Sequence, residues 1–213
     1  MPPADLPVEG ARHLVVGFDL DMTLIDSRHT VRAALDALAA ETGAPIDVDY
    51  VVAHLGLPLE IELSPWFDDS VIASVCDRYR AIHGDLLHLT RPMPGALDAV
   101  AAVRRHRGQV LVVTSKFEPH ARASLAAVDI VPDALVGWRF GAAKGPALRE
   151  HGAWAYVGDH LGDVAAAKAA EVQSWSVATG STSAEALWQA GTDAVLSDLV
   201  AFSQWFDERI KAW

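Results

Sequence analysis

Near its start the chain carries His13-Leu-Val-Val-Gly-Phe-Asp-Leu-Asp-Met-Thr-Leu24, an apolar run that leads into two acids and a threonine. The run predicts a buried strand at about residues 13–19. Side chains alternate along extended backbone, so Asp19 and Asp21 face the same way, at the strand end where ligands of α/β proteins collect. A carboxylate there can attack phosphorus, and its neighbour can protonate the leaving oxygen and then activate water. The alternative is a strand that ends in a solvated acidic turn.

A second apolar run ends in a hydroxyl pair, in Val110-Leu-Val-Val-Thr-Ser-Lys116. At the end of a strand Thr114 can donate a hydrogen bond to a phosphate oxygen, with backbone N–H groups of the following turn beside it. Many strands end in threonine or serine, so this segment carries weight only together with the others.

A lysine stands where a third segment, Gly141-Ala-Ala-Lys-Gly-Pro-Ala-Leu148, predicts the start of a helix. The helix dipole does not explain Lys144, because cations fit helix C-termini better. A fixed ammonium can neutralise phosphate and keep a nucleophile ionised. The alternative is an exposed, solubilising lysine.

A fourth segment, Trp154-Ala-Tyr-Val-Gly-Asp-His-Leu-Gly-Asp163, again ends an apolar strand in an acid. Asp159 follows the strand, and Asp163 comes four residues later, one turn into a predicted helix. Two carboxylates placed in this way favour a hard divalent cation such as Mg²⁺. An N-cap role for Asp159 is the alternative, and it is compatible with metal binding.

In order and spacing these segments resemble the four motifs of the haloacid dehalogenase-like hydrolases, and among them the phosphatase branch of phosphoglycolate phosphatase-like type. The matching residues are Asp19-x-Asp21-x-Thr23, Thr114, Lys144 and Gly158-Asp159-x-x-x-Asp163. With the strand–helix alternation that continues to about residue 205, the resemblance covers nearly the whole chain. One departure is Met22, where most relatives carry a glycine that would relax the backbone of the turn.

The resemblance implies a role for each matching position, with Mg²⁺ as the cofactor. Asp19 resembles the nucleophile, Asp21 the general acid and base, and Lys144 the charge-neutralising lysine. The implied metal ligands are Asp19, Asp21 through its backbone carbonyl, Asp159, and Asp163, which acts through water or by binding Lys144. Substrate contacts are assigned to Thr23, Thr114 and Ser115. The family's dehalogenases lack an acid at the second position, so Asp21 favours phosphoryl chemistry.

Strands and helices alternate along most of the chain, which predicts an α/β fold with a doubly wound, Rossmann-like parallel sheet. The predicted strands lie at about 13–19, 109–114, 134–138, 154–158, 173–178 and 193–196, with helices between them and a last helix at about 198–210. Residues 27–90 show helical periodicity alone, at about 30–40, 48–55 and 70–83. This stretch resembles the family's small all-helical cap. The predicted domains are therefore a catalytic core of 1–26 and 91–213 and a cap of 27–90.

Residues of the cap are expected to select the substrate, because a cap closes over the site and excludes water. The candidates are Arg78, Arg80 and His83 for an anionic tail, Trp66 and Phe67 for a ring, and Arg28 and His29 near the predicted hinge. Two further residues, Lys116 and His160, flank catalytic positions but can equally face solvent. For all of these a solvated or packed side chain is the commoner interpretation. Phe202 and Trp205 of the last helix fit core packing or a dimer contact.

The composition argues against several classes of protein. A net charge of −11 over 213 residues disfavours nonspecific nucleic-acid binding. No apolar stretch approaches the length of a membrane span, and residues 1–7 lack the pattern of a signal peptide and are interpreted as a flexible lead-in. Cys76 is the only cysteine, so we expect a buried thiol and no internal disulfide. These features favour the cytoplasm and no membrane partner.

The sequence thus predicts a Mg²⁺-dependent phosphatase that hydrolyses a small phosphorylated metabolite through an aspartyl-phosphate on Asp19. Two alternatives stay open: a phosphosugar mutase that uses the same groups, and a non-catalytic module that binds Mg²⁺ or a phospho-ligand. A phospho-receiver also carries Asp, Thr and Lys, but it lacks a helical cap after the first strand and needs no acid such as Asp21. The pattern leaves the substrate open, and the expected assembly is a monomer or a homodimer.

Overall fold

A six-stranded parallel sheet forms the centre of the structure, a computed structural model in which residues 14–211 are described. The strands along the chain are β1 (Val15–Phe18), β2 (Ile25–Asp26), β3 (Arg91–Pro92), β4 (Gln109–Val113), β5 (Ala134–Val136), β6 (Ala155–Gly158), β7 (Gln173–Val177) and β8 (Ala194–Leu196). The central sheet has the order β5-β4-β1-β6-β7-β8, with every neighbouring pair parallel. The predicted doubly wound α/β fold is therefore confirmed. The lead-in at 1–7, and His13 of the first predicted strand, lie outside the described residues.

Ten α-helices accompany these strands in the described part of the chain. Those of the sheet layers are α5 (Ala96–Arg105), α6 (Glu118–Ala127), α7 (Gly145–Glu150), α8 (Leu161–Ala170), α9 (Ala184–Gln189) and α10 (Leu199–Ile210). Between β2 and β3 lie α1 (Arg28–Thr42), α2 (Val48–Ala53), α3 (Leu59–Leu63) and α4 (Asp69–Asp85), which we call the helical insert. Short 3-10 helices occur at Leu87–Leu89 and Gly141–Lys144. The division into a cap of 27–90 and a core stays a prediction.

The two segments that connect the helical insert to the rest of the chain, β2 and β3, form one short antiparallel strand pair. Ile25 of β2 pairs with Pro92 of β3, and Asp26 pairs with Arg91. Two-residue strands are too short to show alternation, so sequence analysis did not predict them. Because β2 and β3 are hydrogen-bonded to each other, both ends of the helical insert lie next to the carboxyl end of β1.

The strands are buried because they are almost wholly apolar, as expected for a parallel sheet covered on both faces. All four residues of β1 are buried, and Phe18 meets Phe202 of α10 edge-on with ring centroids 5.6 Å apart. Trp205 lies 4.9 Å from the ring of Trp175 in β7. The aromatic residues of the last helix therefore pack on the core. Cys76 is fully buried, as predicted.

One predicted strand was too long. The third was expected at 134–138, but β5 ends at Val136. Trp138 has a φ of 55°, in the left-handed region that cannot continue a strand. Gly137 also passes so close to Glu118 that a Cβ there would lie 2.6 Å from the Glu118 Cβ. The chain therefore turns at this point, which directs Trp138 towards the site.

None of the helices in residues 14–211 combines the length and the apolar character of a membrane span.

Candidate active site

The predicted site residues converge at the carboxyl edge of the sheet, where the strand order reverses about β1. Asp19 directly follows β1, and its backbone N–H still donates to Val157 O of β6 at 2.8 Å. Asp159 directly follows β6, and Asp163 lies in the first turn of α8. Lys144 ends the 3-10 helix that leads into α7. Residues from three separate segments of the chain therefore meet in one place.

Lys144 is the centre of this cluster and is almost fully buried. Its Nζ donates to Asp19 Oδ1 at 2.8 Å, to Asp163 Oδ1 at 2.7 Å and to the Tyr156 hydroxyl at 2.9 Å. Burial alone would lower the pKa of the Lys144 ammonium, but the charges of Asp163 and Asp19 outweigh it and hold that pKa well above its ordinary value. All three ammonium hydrogens are therefore used, and the charge is fixed beside Asp19.

Asp163 is held from two sides, which explains its place in α8. One carboxylate oxygen accepts from Lys144, and the other accepts from the His160 backbone N–H at 3.0 Å. His160 in turn accepts from the Gly162 N–H through Nδ1 at 3.0 Å, which completes a capping box at the start of the helix. Of the two roles implied for Asp163, the structure shows the contact with Lys144.

Asp19, Asp159 and Asp163 form an acidic triad, with one oxygen of each lying within 4.8 Å of the others. Burial raises the pKa of the Asp19 carboxyl to about 7, with Lys144 opposing the shift and Asp163 adding to it. Burial, and then the charges of Asp163 and Asp19, hold the pKa of the Asp159 carboxyl well above its usual range. The triad thus carries more negative charge than Lys144 can offset.

This triad fits a hard divalent cation. Carboxylate oxygens are the donors that Mg²⁺ prefers, and a cation would relieve the like-charge repulsion that raises the pKa values of Asp19 and Asp159. Two glycines leave room for the ligands. A Cβ on Gly180 would lie 1.8 Å from Asp159 Oδ2, and one on Gly158 would lie 2.3 Å from the Asp163 carboxyl carbon. The second oxygen of Asp159 is thus accommodated only because residue 180 has no side chain.

Asp21 lies apart from the triad and pairs with Lys116. The Lys116 Nζ donates to Asp21 Oδ1 at 2.7 Å. Burial alone would raise the pKa of the Asp21 carboxyl, but the charge and hydrogen bond of Lys116 outweigh it, and the net shift is downward. From the sequence alone, the Lys116 side chain could face either the site or solvent. The structure shows it largely buried, as the counter-ion of Asp21.

The turn that carries Asp21 is strained at Met22, as the missing glycine led us to expect. Met22 has a φ of 61°, which a side chain disfavours by about 1 kcal/mol or more. Three contacts hold it there. Its N–H donates to Ile25 O at 2.8 Å, its carbonyl accepts from the Thr179 hydroxyl at 2.6 Å, and its side chain is buried. The turn is therefore kept by its surroundings, and Asp21 stays at the cavity.

The three residues assigned to substrate contacts differ in their surroundings. Thr23 is fully buried and donates to Asp159 Oδ1 at 2.6 Å, so its hydroxyl already serves a carboxylate of the triad. The hydroxyl of Thr114 accepts from the Lys116 N–H at 3.1 Å. Ser115 lines the cavity beside Lys116. Of the three, Ser115 is therefore the one on the cavity wall.

A cavity of about 340 Å³ lies between this edge and the helical insert, and Asp19, Asp21, Lys144 and Asp159 all line it. The helical insert contributes Leu55, Leu57, Glu62, Tyr79, Arg80 and His83. The core contributes an aromatic wall of Phe117, Trp138 and Phe140. Trp138 is 58% exposed although it lines the cavity, so one aromatic face is open at its rim.

The candidate residues of the helical insert divide into two groups. Arg80 and His83 line the cavity; Arg80 pairs with Glu60 and Asp77 and lies 5.5 Å from the Trp138 ring centroid. The rest lie elsewhere: Arg78 pairs with Glu41, Arg28 with Asp26, Trp66 and Phe67 pack against the core, and His29 is exposed in a separate shallow groove. His160 lines the cavity.

Glu62 is the cavity residue that sequence analysis missed most completely. Burial raises the pKa of its carboxyl to about 8, against the opposing effect of the Gly56 and Leu57 backbone N–H groups. It lies in α3, which has five residues and therefore no periodicity to recognise. The nearest signal in the sequence is Pro58, which indicates a helix break but does not specify Glu62.

Comparisons with known proteins agree with this geometry. A family described as haloacid dehalogenase-like hydrolase matches residues 16–132, and one described as HAD-hydrolase-like matches residues 142–202. No curated protein sequence matches the chain.

Solved structures share the fold over most of the chain. A haloacid dehalogenase-like family hydrolase, SP0104 from Streptococcus pneumoniae, is 19% identical, with 92% of this chain and 99% of that chain covered and a TM-score of 0.81. A predicted phosphoglycolate phosphatase from Haemophilus somnus 129pt is 18% identical, with 91% and 98% covered and a TM-score of 0.77. A Thermotoga maritima protein whose name includes β-phosphoglucomutase is 20% identical, with 90% and 99% covered and a TM-score of 0.67. At such low identities these likenesses show the fold alone. The first family match spans more than half of the chain and contains Asp19, Asp21 and Thr114, so the protein belongs to the haloacid dehalogenase-like hydrolases.

Proposed function

We propose that this hydrolase is a Mg²⁺-dependent phosphatase of the phosphoglycolate phosphatase-like type, acting on a small phosphorylated metabolite. The observation that carries the proposal is the pair of carboxylates at the end of β1, each with its own lysine. Asp19 is held by Lys144 beside the acidic triad, and Asp21 is held by Lys116 beside the cavity. A nucleophile and a proton carrier are thus kept apart, which suits two-step phosphoryl transfer.

In the first step an Asp19 carboxylate oxygen attacks the phosphorus as the bond to the leaving oxygen breaks. The leaving oxygen takes a proton from Asp21, and the product is an aspartyl-phosphate with a free alcohol. Lys144 is positioned to offset charge at Asp19, because its ammonium is fixed 2.8 Å from Oδ1. In-line attack needs little else from the protein than position and charge.

In the second step Asp21 removes a proton from a water molecule, which attacks the aspartyl-phosphate and releases inorganic phosphate. The ion pair with Lys116 suits this step, because it holds Asp21 as a carboxylate. The first step needs Asp21 protonated. A phosphate oxygen that competes for the Lys116 ammonium would weaken the ion pair that keeps the pKa of Asp21 low, so substrate binding itself would favour protonation.

Asp19 and Asp159 are the residues we assign as direct metal ligands, with Asp163 holding Lys144 beside them. When bound, Mg²⁺ supplies positive charge for the phosphate oxygens and for the attacking carboxylate. Thr23 orients Asp159 through its 2.6 Å hydrogen bond. Such an outer contact is typical of a ligand that must present one particular oxygen.

The test is phosphate release from p-nitrophenyl phosphate and a panel of phosphorylated metabolites, with Mg²⁺ and with a chelator. We expect Asp19→Asn to lower kcat by at least about a thousandfold. Asp36→Asn, the same substitution at an exposed position of α1, should leave it unchanged. Full turnover by Asp19→Asn would refute the proposed nucleophile. Interconversion of sugar-phosphate isomers without phosphate release would instead identify a mutase.

A further inference from the structure

The cavity wall beside Asp21 carries three polar groups that the proposed mechanism does not use. The His83 Nδ1 is buried and has no hydrogen-bond partner among residues 14–211, and the buried Ser27 hydroxyl lies beside the Asp21 carboxylate, to which it can donate. Glu62 lines the same cavity and forms no ion pair within the described residues. Buried polar atoms without partners are uncommon and call for a ligand or water.

These three groups lie where a leaving group would go. Ser27 lies close to the Asp21 carboxyl, and the charge of Asp21 acts on both Glu62 and His83. His83 is fixed by stacking between Tyr79 and His120, with ring centroids 5.5 and 5.2 Å away. Burial, and then the charge of Lys116, lower the pKa of His83 to about 3, so the ring is neutral. The wall next to the proposed proton donor is thus polar and carries no positive charge of its own.

Three of the four lysines and arginines that line the cavity already have carboxylate partners. Lys116 is paired with Asp21, Lys144 with Asp19 and Asp163, and Arg80 with Glu60 and Asp77. Arg139 is exposed at the rim, where its guanidinium donates to the Trp138 carbonyl. The cation whose charge acts on Glu62 is Lys116, which is paired with Asp21, so a carboxylate placed beside Glu62 would meet a cation that is already engaged. Above about pH 8, where the Glu62 carboxyl is ionised, like charges brought together in this way cost binding energy.

We propose that the substrate's leaving group carries uncharged hydroxyls, bound by Glu62, Ser27 and His83, and that Glu62 excludes leaving groups with a carboxylate. This inference rests on the proposed phosphatase function. Glu62 can accept from a hydroxyl, while Ser27 and neutral His83 can each either donate or accept. An ammonium fits less well, because the charge of Lys116 already acts at Glu62.

Two matched pairs of substrates isolate this property. Phosphoglycolate and 2-hydroxyethyl phosphate differ only in a carboxylate against a CH₂OH group, and so do 3-phosphoglycerate and glycerol 3-phosphate. At about pH 9, above the pKa of about 8 of the Glu62 carboxyl, we expect the wild-type protein with Mg²⁺ to prefer the hydroxyl member of each pair by at least about tenfold in kcat/KM. Glu62→Gln removes the charge but keeps an acceptor oxygen, so we expect the preference to narrow by about tenfold or more.

The control is Glu41→Gln, the same substitution on the helical insert at an exposed residue that pairs with Arg78 outside the cavity. It should keep the wild-type preference. Equal or better use of the carboxylate members by the wild type would overturn the inference, as would an unchanged preference in Glu62→Gln or faster turnover of phosphoethanolamine than of 2-hydroxyethyl phosphate. The wild-type comparison needs no variant to fold. No phosphate release from any compound, p-nitrophenyl phosphate included, would refute the proposed function itself.

Discussion

Replacing Gly180 by alanine should inactivate the protein without unfolding it. The added Cβ would lie 1.8 Å from Asp159 Oδ2, whereas real Cβ atoms essentially never come within 3.0 Å of such an atom. The carboxylate must therefore move by more than about 1 Å, and a misplacement of that size at a reacting centre can cost roughly 100-fold in rate. Its hydrogen bond from Thr23 should be lost as well.

The fold should tolerate this change. Gly180 has no left-handed φ, so alanine fits its backbone, and the Asp159 side chain can rotate away at the cost of about one buried hydrogen bond, roughly 1–3 kcal/mol. The measurements are kcat/KM for p-nitrophenyl phosphate, the Mg²⁺ concentration for half-maximal activity, and a urea unfolding curve. We expect the first to fall about 100-fold and the second to rise.

A second glycine-to-alanine substitution serves as a control, because it adds backbone strain without bringing the new Cβ into contact with another side chain. Gly152 has a φ of +64° with nothing within 4 Å of an added Cβ, so Gly152→Ala should cost about 1 kcal/mol of unfolding free energy and leave kcat/KM unchanged. If Gly180→Ala kept more than half of the wild-type kcat/KM, Asp159 could not hold a position that the reaction requires. The assignment of Asp159 as a metal ligand would then be wrong.

Three further predictions test the surroundings of the triad. Lys144→Met leaves Asp19 and Asp163 buried without their counter-ion, so the free energy of unfolding should fall by about 3–5 kcal/mol near pH 8. The loss should be smaller at pH 5.5, where Asp19, whose pKa is raised to about 7, can take up a proton, and equal losses at both pH values would contradict this. Met22→Gly relieves about 1 kcal/mol of backbone strain but removes a buried side chain whose packing contributes about 2–5 kcal/mol. Urea unfolding should therefore show a net decrease in the free energy of unfolding, and an increase would mean that the strain is the larger effect. Mg²⁺ affinity should rise from pH 6 to pH 8, because binding displaces a proton from Asp19, whose pKa is raised to about 7. Calorimetry in two buffers would count the protons released on binding. An affinity that does not change with pH would refute this prediction.

The features that sequence could predict are those that follow from strand topology. Parallel strands present their carboxyl ends at one edge, so residues that end apolar runs, such as Asp19 and Asp159, must come close together. The position of Lys144 was predictable for a related reason, since a helix start there conflicts with the dipole preference of a lysine. The strain at Met22 was predictable from the absence of a glycine, and the φ of 61° agrees with it.

The remaining features depend on directions that no local pattern encodes. Lys116 lies in a loop, where alternation stops, so its side chain could not be directed towards Asp21 from sequence. Glu62 reaches the cavity from a five-residue helix of the helical insert, and β2 and β3, the strands on either side of this insert, are themselves too short to predict. Thr23 was assigned to the substrate because it belongs to the first motif, but its hydroxyl donates to Asp159, a contact 136 residues away along the chain.

The carboxylates of the site carry more negative charge than its lysines can neutralise. Four carboxylates, of Asp19, Asp21, Asp159 and Asp163, face two lysines, Lys116 and Lys144. Fully ionised, the group has a net charge of about −2, and both lysines are already engaged. A phosphate dianion that approached it would be repelled, within a chain whose overall charge is −11. A divalent cation balances the excess, so we infer that the cation must be in place before the phosphomonoester can bind. The raised pKa values of Asp19 and Asp159 follow from the same imbalance, since protons can relieve it in the cation's place.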